Sequence, residues 1–480
     1  MKFSSKIEEY GERCRDFTSN YWRTIIVFLV STGLMLWQHT MGWNWDFNVY
    51  SMNAEYLFHA GNYIEWQRPI VAPLILGLLQ FVFSRSISEF VFVVLSNSFF
   101  YWAAYRASKA IDVDFESFYI LLMSPMAIFI GNFHGTEMLS LSFVMLFFSE
   151  LYTARSGLWM SLAFLTRNAN FILIPFGLLD KKWKRTIKRY SLAAFPVVLW
   201  LAFNWVMLGD PFSAVANRIA INLYDNPFVF PIKPLAFLKV PGLSLLFIGA
   251  YLVKKRQSIS LRNLEKLDVM LIVYSSYVIF KYLTVDLRQT RFLYPLVFTS
   301  AYFAVKAYRN LDISKRVITG AMILNLILAG FIVSDTPVSQ PGGFQRATEY
   351  IDGCKAESDV WPQMAYAGAP AAKPLEPKLT EQRIENGWRA VFFNPEKYFE
   401  NTSVDQDLPV IEKNPSYVVY GTERCIDSHV INSTYLEKKR KIDELKDEEG
   451  IYQPTYYIID KFGVDGKKLF RFLGIDRYIS

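Results

Sequence analysis

Between residues 24 and 334 the chain alternates long apolar runs with short polar loops, whereas from 335 to 480 polar and apolar residues mix as in ordinary globular sequence. The apolar runs fall at 24–42, 89–107, 116–132, 137–153, 157–166, 168–179, 191–208, 235–253, 267–285, 292–307 and 317–334. A hydrocarbon core about 30 Å thick calls for roughly 20 apolar helical residues. The pattern therefore predicts an all-α polytopic membrane body of about eleven helices, followed by a water-soluble domain. Within that last region, strand-like runs (RAVFF, YVVYG, YYIID) alternate with a helical charge pattern at 434–449, which predicts a small α/β or α+β fold.

Two stretches admit alternatives. Residues 69–84 are apolar but short for a span and open with Pro69, which reads as a helix lying at the outer interface. The run 157–179 is either one span with Arg167 and Asn168 near its middle or two short helices meeting at Arg167 near the outer side. An arginine at bilayer centre costs at least about 2.5 kcal/mol, which favours two. Exchanging one reading alone would turn the basic loop after Asp180 outward; exchanging both would preserve it.

Charge fixes the orientation. The chain carries a formal net charge of +7, but its Lys and Arg residues cluster in the leader 1–23, at 180–190 (DKKWKRTIKRY), at 254–256 and at 309–316. Such clusters mark cytoplasmic loops rather than a nucleic-acid surface. They place the N-terminus inside, and the segments 43–88, 133–136, 209–234, 286–291 and the domain 335–480 outside, in a multi-pass protein of the cell membrane. The first run lacks a small-residue cleavage site and precedes Trp43 and Trp45, so it reads as a retained signal anchor. On this topology Cys354 and Cys425 lie outside, where they could form a disulfide, and sequons at Asn401 and Asn432 lie in the same region.

The candidate chemistry gathers at the outer face. Segment 43–73 is long and aromatic, and Asp46 stands in it among Trp43, Trp45 and Phe47. Partial desolvation there would make its carboxylate a better base. The alternative is an N-cap for a helix over 48–60. Arg68, His134, Glu137, Arg167, Arg288 and Arg291 belong to the same face. Outward arginines are not explained by the positive-inside rule, and the planar guanidinium suits an anionic phosphate. Local pairing is the competing reading, of Arg68 with Glu65 or Arg288 with Asp286, as is snorkelling to headgroups. Glu137 at a helix start is comfortable without any function. No two of the four histidines stand at ligand spacing, so no zinc site can be read. Acidic side chains could hold a divalent cation, though nothing demands one. No P-loop, dinucleotide fingerprint or nucleophile elbow is present.

The succession WDFNVYSMNAEYL, GNYIEWQRPIVAPLI, GTEMLSLSFVMLFFSELY, LAFLTRNANFILIP, GDPF and RQTRFLYP, over residues 43–295, resembles the GT-C membrane glycosyltransferases. Within them it is most similar to the branch of protein O-mannosyltransferases and lipid A aminoarabinose transferases, archaeal-type members included. The resemblance implies a GT-C-like catalytic domain over 24–334, with its outer loop at 43–88. It also implies transfer of a sugar from a polyprenyl or dolichyl phosphate donor to a hydroxyl of a glycan, lipid or protein, with inversion at the anomeric carbon. Asp46 aligns with the family's catalytic acid, although the family often pairs two acids there and this chain has Phe47. Glu137, the second catalytic candidate, matches the acid opening the fourth span, Arg167 the basic residue of the short helix pair, and Arg291 a residue near the lipid phosphate. Arg68 and Arg288 would join the phosphate site and His134 would be accessory. The rival class is a transporter or flippase of a lipid-linked anion. Clustering of ionisable residues at one face, rather than at the midplane, favours the enzyme.

Overall fold

The structure, a computed structural model, describes the chain except for residues 1, 62, 181, 210, 213, 215–231, 255–263, 285–288, 312, 336–340, 352, 370, 373, 375–376, 400–407 and 427–480; for 2–20, 341 and 397 it describes the backbone alone. Arg288, both sequons, the YYIID run and the helical pattern at 434–449 lie outside the described residues. The chain forms two compact units, one from Met1–His39, Phe90–Val198 and Phe228–Thr336, the other from Thr40–Glu89, Leu199–Pro227 and Pro337–Ser480.

The first unit is helical, and five described helices are long and apolar enough to cross a membrane: Tyr21–Met41, Arg85–Ala110, Trp183–Leu208, Lys266–Thr284 and Lys315–Ser334. Two of these, Arg85–Ala110 and Trp183–Leu208, continue past the boundary of the unit. Only 11% of the apolar window of Trp183–Leu208 is buried in protein. An apolar face of that extent needs lipid as its solvent, and this is a multi-pass membrane protein. At the other extreme, Glu137–Phe148 are all buried, which makes their helix, Glu137–Ser149, the centre of the unit. Around it Phe148 packs against Tyr274 and Phe298, with ring centroids 5.8 Å apart in each case. Because lipid tails are as apolar as leucine, polar contacts between helices add specificity. Asn97 Nδ2 donates to Thr32 Oγ1 at 2.7 Å, Arg23 pairs with Glu116 at 2.7 Å, and Lys306 reaches Asp268 Oδ1 at 2.9 Å.

Several apolar runs are broken where local chemistry demands it. The run 116–132 is two helices, Phe115–Leu122 and Pro125–Gly131, because Ser124 accepts the Ala127 amide and Pro125 fills the first helical position. The run 235–253 divides into Ala236–Lys239 and Ser244–Lys254 around Pro241 and Gly242, the latter at φ 56°. The stretch 157–179 breaks at Arg167, between the helix Ser156–Thr166 and the turns Asn168–Ile172 and Leu173–Gly177. The stretch 69–84 contains a ten-residue helix, Val71–Gln80.

The second unit is built on a five-stranded sheet. Its strands are β1 (Ala356–Ser358), β2 (Ala371–Ala372), β3 (Arg389–Phe392), β4 (Val410–Asn414) and β5 (Tyr417–Tyr420), in the order β2-β1-β3-β5-β4. The pairs β1/β2 and β1/β3 are parallel, whereas β3/β5 and β4/β5 are antiparallel. RAVFF and YVVYG form β3 and β5, two of the three interior strands. Cys354 and Cys425 are disulfide-bonded. Beside the bridge, Lys355 N donates to Ile426 O at 2.8 Å and Ile426 N to Gly387 O at 3.0 Å.

Segment 43–67 belongs to the core of this unit. Asn44, not Asp46, caps the helix Trp45–Phe58, its Oδ1 accepting the Asp46 amide at 3.0 Å. Asp46 through Ala54 are all buried. Val49, Met52 and Tyr63 share one apolar core with Phe344, Trp361, Met364, Val391 and Val419. Trp43 stacks on Phe344 at 5.6 Å, and Trp45 meets Trp361 edge-on at 4.1 Å.

Candidate functional site

In the helical unit the candidate residues converge on Glu137. Gly135, at φ 87°, turns the chain so that the helix starts at Glu137, and Thr136 supplies no side-chain cap. Glu137 Oε2 accepts the Thr136 amide at 3.3 Å, so the carboxylate lies over its own helix N-terminus, where negative charge is stabilised. It is 1% exposed. Arg167 sits in the extended link between two helical pieces, φ −150° and ψ 113°, which frees its side chain to cross to Glu137 Oε1 and form an ion pair. Arg291, in the Thr290–Leu293 turn, brings Nη1 to 4.0 Å from the same oxygen.

A narrow cavity of about 30 Å³ adjoins this group, lined among others by Glu137, Arg167, Asn170, Lys281 and Tyr294. Its wall is ordered by Asn170, whose Nδ2 donates to Ser140 Oγ at 2.7 Å and to the Ala163 carbonyl at 2.8 Å. Lys281 Nζ lies 5.3 Å from the centre of the Phe292 ring. Arg167, Arg291 and Lys281 thus bring three cations to a neighbourhood in which Glu137 is the one carboxylate that lines the cavity among the described residues. Such a grouping suits an anion whose oxygens accept from planar guanidinium donors. Lys281, Asn170 and the tyrosines were not singled out in the sequence. Each lies within or beside an apolar run where one polar residue gives no signal, and only the folding of 266–284 toward 137 and 167 assembles them. His134 stands three residues before Glu137, half-buried, its ring 5.1 Å from Phe133, and is not among the residues lining the cavity.

In the sheet-containing unit a second cluster surrounds Asp46. Arg68 Nη1 is ion-paired with Asp46 Oδ1, and its Nε donates to Glu65 Oε2 at 2.8 Å. Glu65 also accepts from the Tyr63 hydroxyl at 2.8 Å and from Gln67 Nε2 at 3.0 Å. The Glu65 backbone is fixed in turn by Asn53, which donates Nδ2 to its carbonyl at 3.1 Å and accepts its amide at 2.8 Å. Burial alone would lower the pKa of Arg68, but Asp46 and Glu65 outweigh it and hold the guanidinium well above its ordinary value. Burial, and then the Glu65 carboxylate, push the Tyr63 hydroxyl up, so it stays a donor. Arg68 therefore joins two carboxylates, and the pairing with Glu65 expected as the local alternative is present together with one to Asp46. Among the described residues no three His, Cys, Asp or Glu side chains gather as a metal ion would require.

No protein-family model and no curated protein matches the sequence. The fold, however, has counterparts among solved structures. Over 84% of its length the chain is similar to 98% of ArnT from Cupriavidus metallidurans bound to undecaprenyl phosphate, with a TM-score of 0.60 and 12% identity. It is similar to the apo state of the same protein over the same shares, with a TM-score of 0.56 and 11% identity. At these identities the likeness establishes the fold.

Proposed function

We propose that the protein is a membrane glycosyltransferase that moves a sugar from a polyprenyl phosphate donor to a hydroxyl of a glycan, lipid or protein. The observation that carries the reading is the Glu137 cluster. Two guanidinium groups and an ammonium beside one buried carboxylate, in a bundle with a lipid-facing surface, suit the phosphate of a lipid whose tail stays in the bilayer. The similarity in fold to a protein bound to undecaprenyl phosphate agrees with that assignment.

In this reading Arg167 and Arg291 bind the phosphate and stabilise the charge that grows on it as the bond to the anomeric carbon breaks. Glu137 holds the two guanidinium groups in place. Asp46 takes the proton of the acceptor hydroxyl as its oxygen attacks that carbon with inversion, and Arg68 orients the carboxylate. The products are the glycosylated acceptor and the polyprenyl phosphate. Arg288 joins Arg167 and Arg291 at the phosphate, and His134 is accessory. About eleven membrane passes, with the N-terminus cytoplasmic and the sheet-containing domain outside, put this chemistry on the extracytoplasmic face.

Undecaprenyl phosphate alone is a sufficient first probe, because it corresponds to the leaving group whatever the sugar. The protein in nanodiscs should bind it, and Arg167→Ala or Arg291→Ala should weaken binding about tenfold or more, since a charge-assisted bond to phosphate contributes roughly 1.5–3 kcal/mol. Binding unchanged in both variants would remove the phosphate assignment. With a polyprenyl phosphate sugar and an acceptor, Asp46→Asn should lower the transfer rate by roughly 10²–10⁴ in protein shown by circular dichroism to remain folded; full turnover in that variant would dismiss Asp46 as the base.

A further inference from the structure

A cavity of about 330 Å³ opens within the sheet-containing unit, and its lining includes neither Asp46 nor Arg68. One side is the end of the Trp45–Phe58 helix, with Met52 and Glu55, closed by Gly61. Gly61 N donates to the Glu55 carbonyl at 3.1 Å, and a Cβ on Gly61 would lie 2.8 Å from the Tyr56 nitrogen, so only glycine lets the chain turn this tightly against the helix end. Arg85 forms another side, and Ala365–Gly368 the last, where Gly368 takes φ 97°.

The polar groups facing this space are held firmly. Arg85 Nη1 donates to both oxygens of Glu55 at 3.0 and 2.9 Å, and Nη2 donates to the Tyr366 carbonyl at 2.6 Å. The Arg85 guanidinium also lies 3.9 Å from the centre of the Tyr366 ring. Behind the ring, the Tyr366 hydroxyl donates to Glu89 at 2.8 and 2.9 Å, and Ser51 Oγ donates to the same carboxylate at 2.5 Å. The Glu55 and Arg85 side chains are nevertheless 28% and 30% exposed, because they border the cavity rather than packed protein.

We propose that this cavity binds one uncharged pyranose unit. Its volume of about 330 Å³ leaves room for a ligand of at least about a dozen non-hydrogen atoms. Of the charged side chains that line the cavity, the Glu55 carboxylate and the Arg85 guanidinium compensate one another, and a polyol satisfies both. One hydroxyl donates to Glu55, which retains acceptor capacity beyond a single arginine nitrogen, and a neighbouring oxygen accepts from Arg85. Met52 supplies an apolar wall for the C–H face of the ring. That the ligand is a sugar rests on the glycosyl-transfer reading; the two sources compatible with it are the acceptor's own sugar and the sugar of the donor.

The test is ligand-observed saturation-transfer NMR on the full chain in nanodiscs, with a panel of methyl pyranosides as probes. At least one should bind, and binding should weaken at least tenfold in Glu55→Gln, which keeps the shape of the side chain, and in Ala367→Leu, which fills the space and leaves both charges. Absence of binding by every pyranoside, or equal binding in wild type and Ala367→Leu, overturns the proposal even if Glu55→Gln fails to fold. The sugars whose methyl pyranosides bind are then supplied in two forms: as the methyl pyranoside acceptor beside a separate donor and, in another assay, with the anomeric carbon linked to polyprenyl phosphate in place of the methyl group. Turnover of the methyl pyranoside places the site on the acceptor side, and turnover of the phosphate-linked form alone on the donor side. Binding without turnover of either keeps the cavity's assignment and dismisses the glycosyl-transfer reading.

Discussion

Arg189 is a fully buried cation in the helical unit, and its surroundings show how such a residue is tolerated. Its Nε donates to Ser156 Oγ at 2.7 Å, its Nη1 to the Gly177 carbonyl, and its Nη2 to the Leu151 carbonyl and to Asp180 Oδ2, the last at 3.1 Å. A buried charge needs this many partners, because each unmet donor would cost its desolvation. In the sequence Arg189 was one basic residue of DKKWKRTIKRY, indistinguishable from neighbours that set orientation; only the meeting of residues 151, 156, 177 and 180 reveals it as structural. Asp180 is the titratable member. Burial raises its pKa, but the Lys182 amide and the Arg185 and Arg189 guanidinium groups outweigh burial, so the folded value lies below the ordinary 3.8. A depressed carboxylate contributes stability that is fully present above its ordinary value and is lost as pH falls through the folded one. Asp180→Asn should therefore lower the thermal midpoint at about pH 7, and the gap from wild type should begin to narrow only as pH falls below about 4. A gap that stays constant across this range would show that the carboxylate's charge contributes nothing.

At the scale of elements, apolar periodicity read the long helices well and their interruptions unevenly. The break at Arg167 was legible because a charge in a lipid-facing run is expensive. Those at Ser124–Pro125 and Pro241–Gly242 were not, although a serine followed by proline is a helix start, because the surrounding hydropathy outweighs two residues in any window that scores a span. Close approach of helices leaves an even fainter trace. Gly157 opens the Ser156–Thr166 helix, and a Cβ there would lie 1.9 Å from the Arg189 carbonyl oxygen and 2.7 Å from its carbon. Backbone cannot retreat as a flexible side chain would, so the helices must part. Gly157→Ala should destabilise the unit by about 1–3 kcal/mol, as overpacking does, and a denaturant midpoint equal to wild type would show that the two helices separate freely. Alanine is otherwise the better helix former by about 1 kcal/mol, so a loss here isolates the steric effect.

At the scale of the whole molecule, the boundary drawn from hydropathy at residue 335 separates water-soluble from apolar sequence, but the packing follows a different division. Residues 43–67 supply Val49, Met52 and Tyr63 to the same core as β3 and β5. Contacts between residues some 300 positions apart have no local signature, and in the sequence the aromatic residues of WNWDF point to partial desolvation of Asp46 rather than to a core shared with distant strands. Asp46 and Arg68 thus stand on the inner framework of a folded unit rather than on a free loop, which is the kind of support a reacting carboxylate needs. The same unit is tied at its other side by Cys354–Cys425, 71 residues apart. Closing a loop of that length removes denatured-state entropy equivalent to about 4 kcal/mol in the chain-entropy model. The bridge also sets the Ile426 strand-like contacts against Lys355 and Gly387, adjoining β1 and β3. Replacing both cysteines with serine should leave the helical unit's exchange rates unchanged, while amide hydrogens in Ala356–Ser358 and Arg389–Phe392 exchange faster, as hydrogen–deuterium exchange would measure. Unaltered exchange in those two strands would mean that the sheet is held by its apolar core, Val391 and Val419 with Val49 and Met52, and that the bridge adds nothing to it.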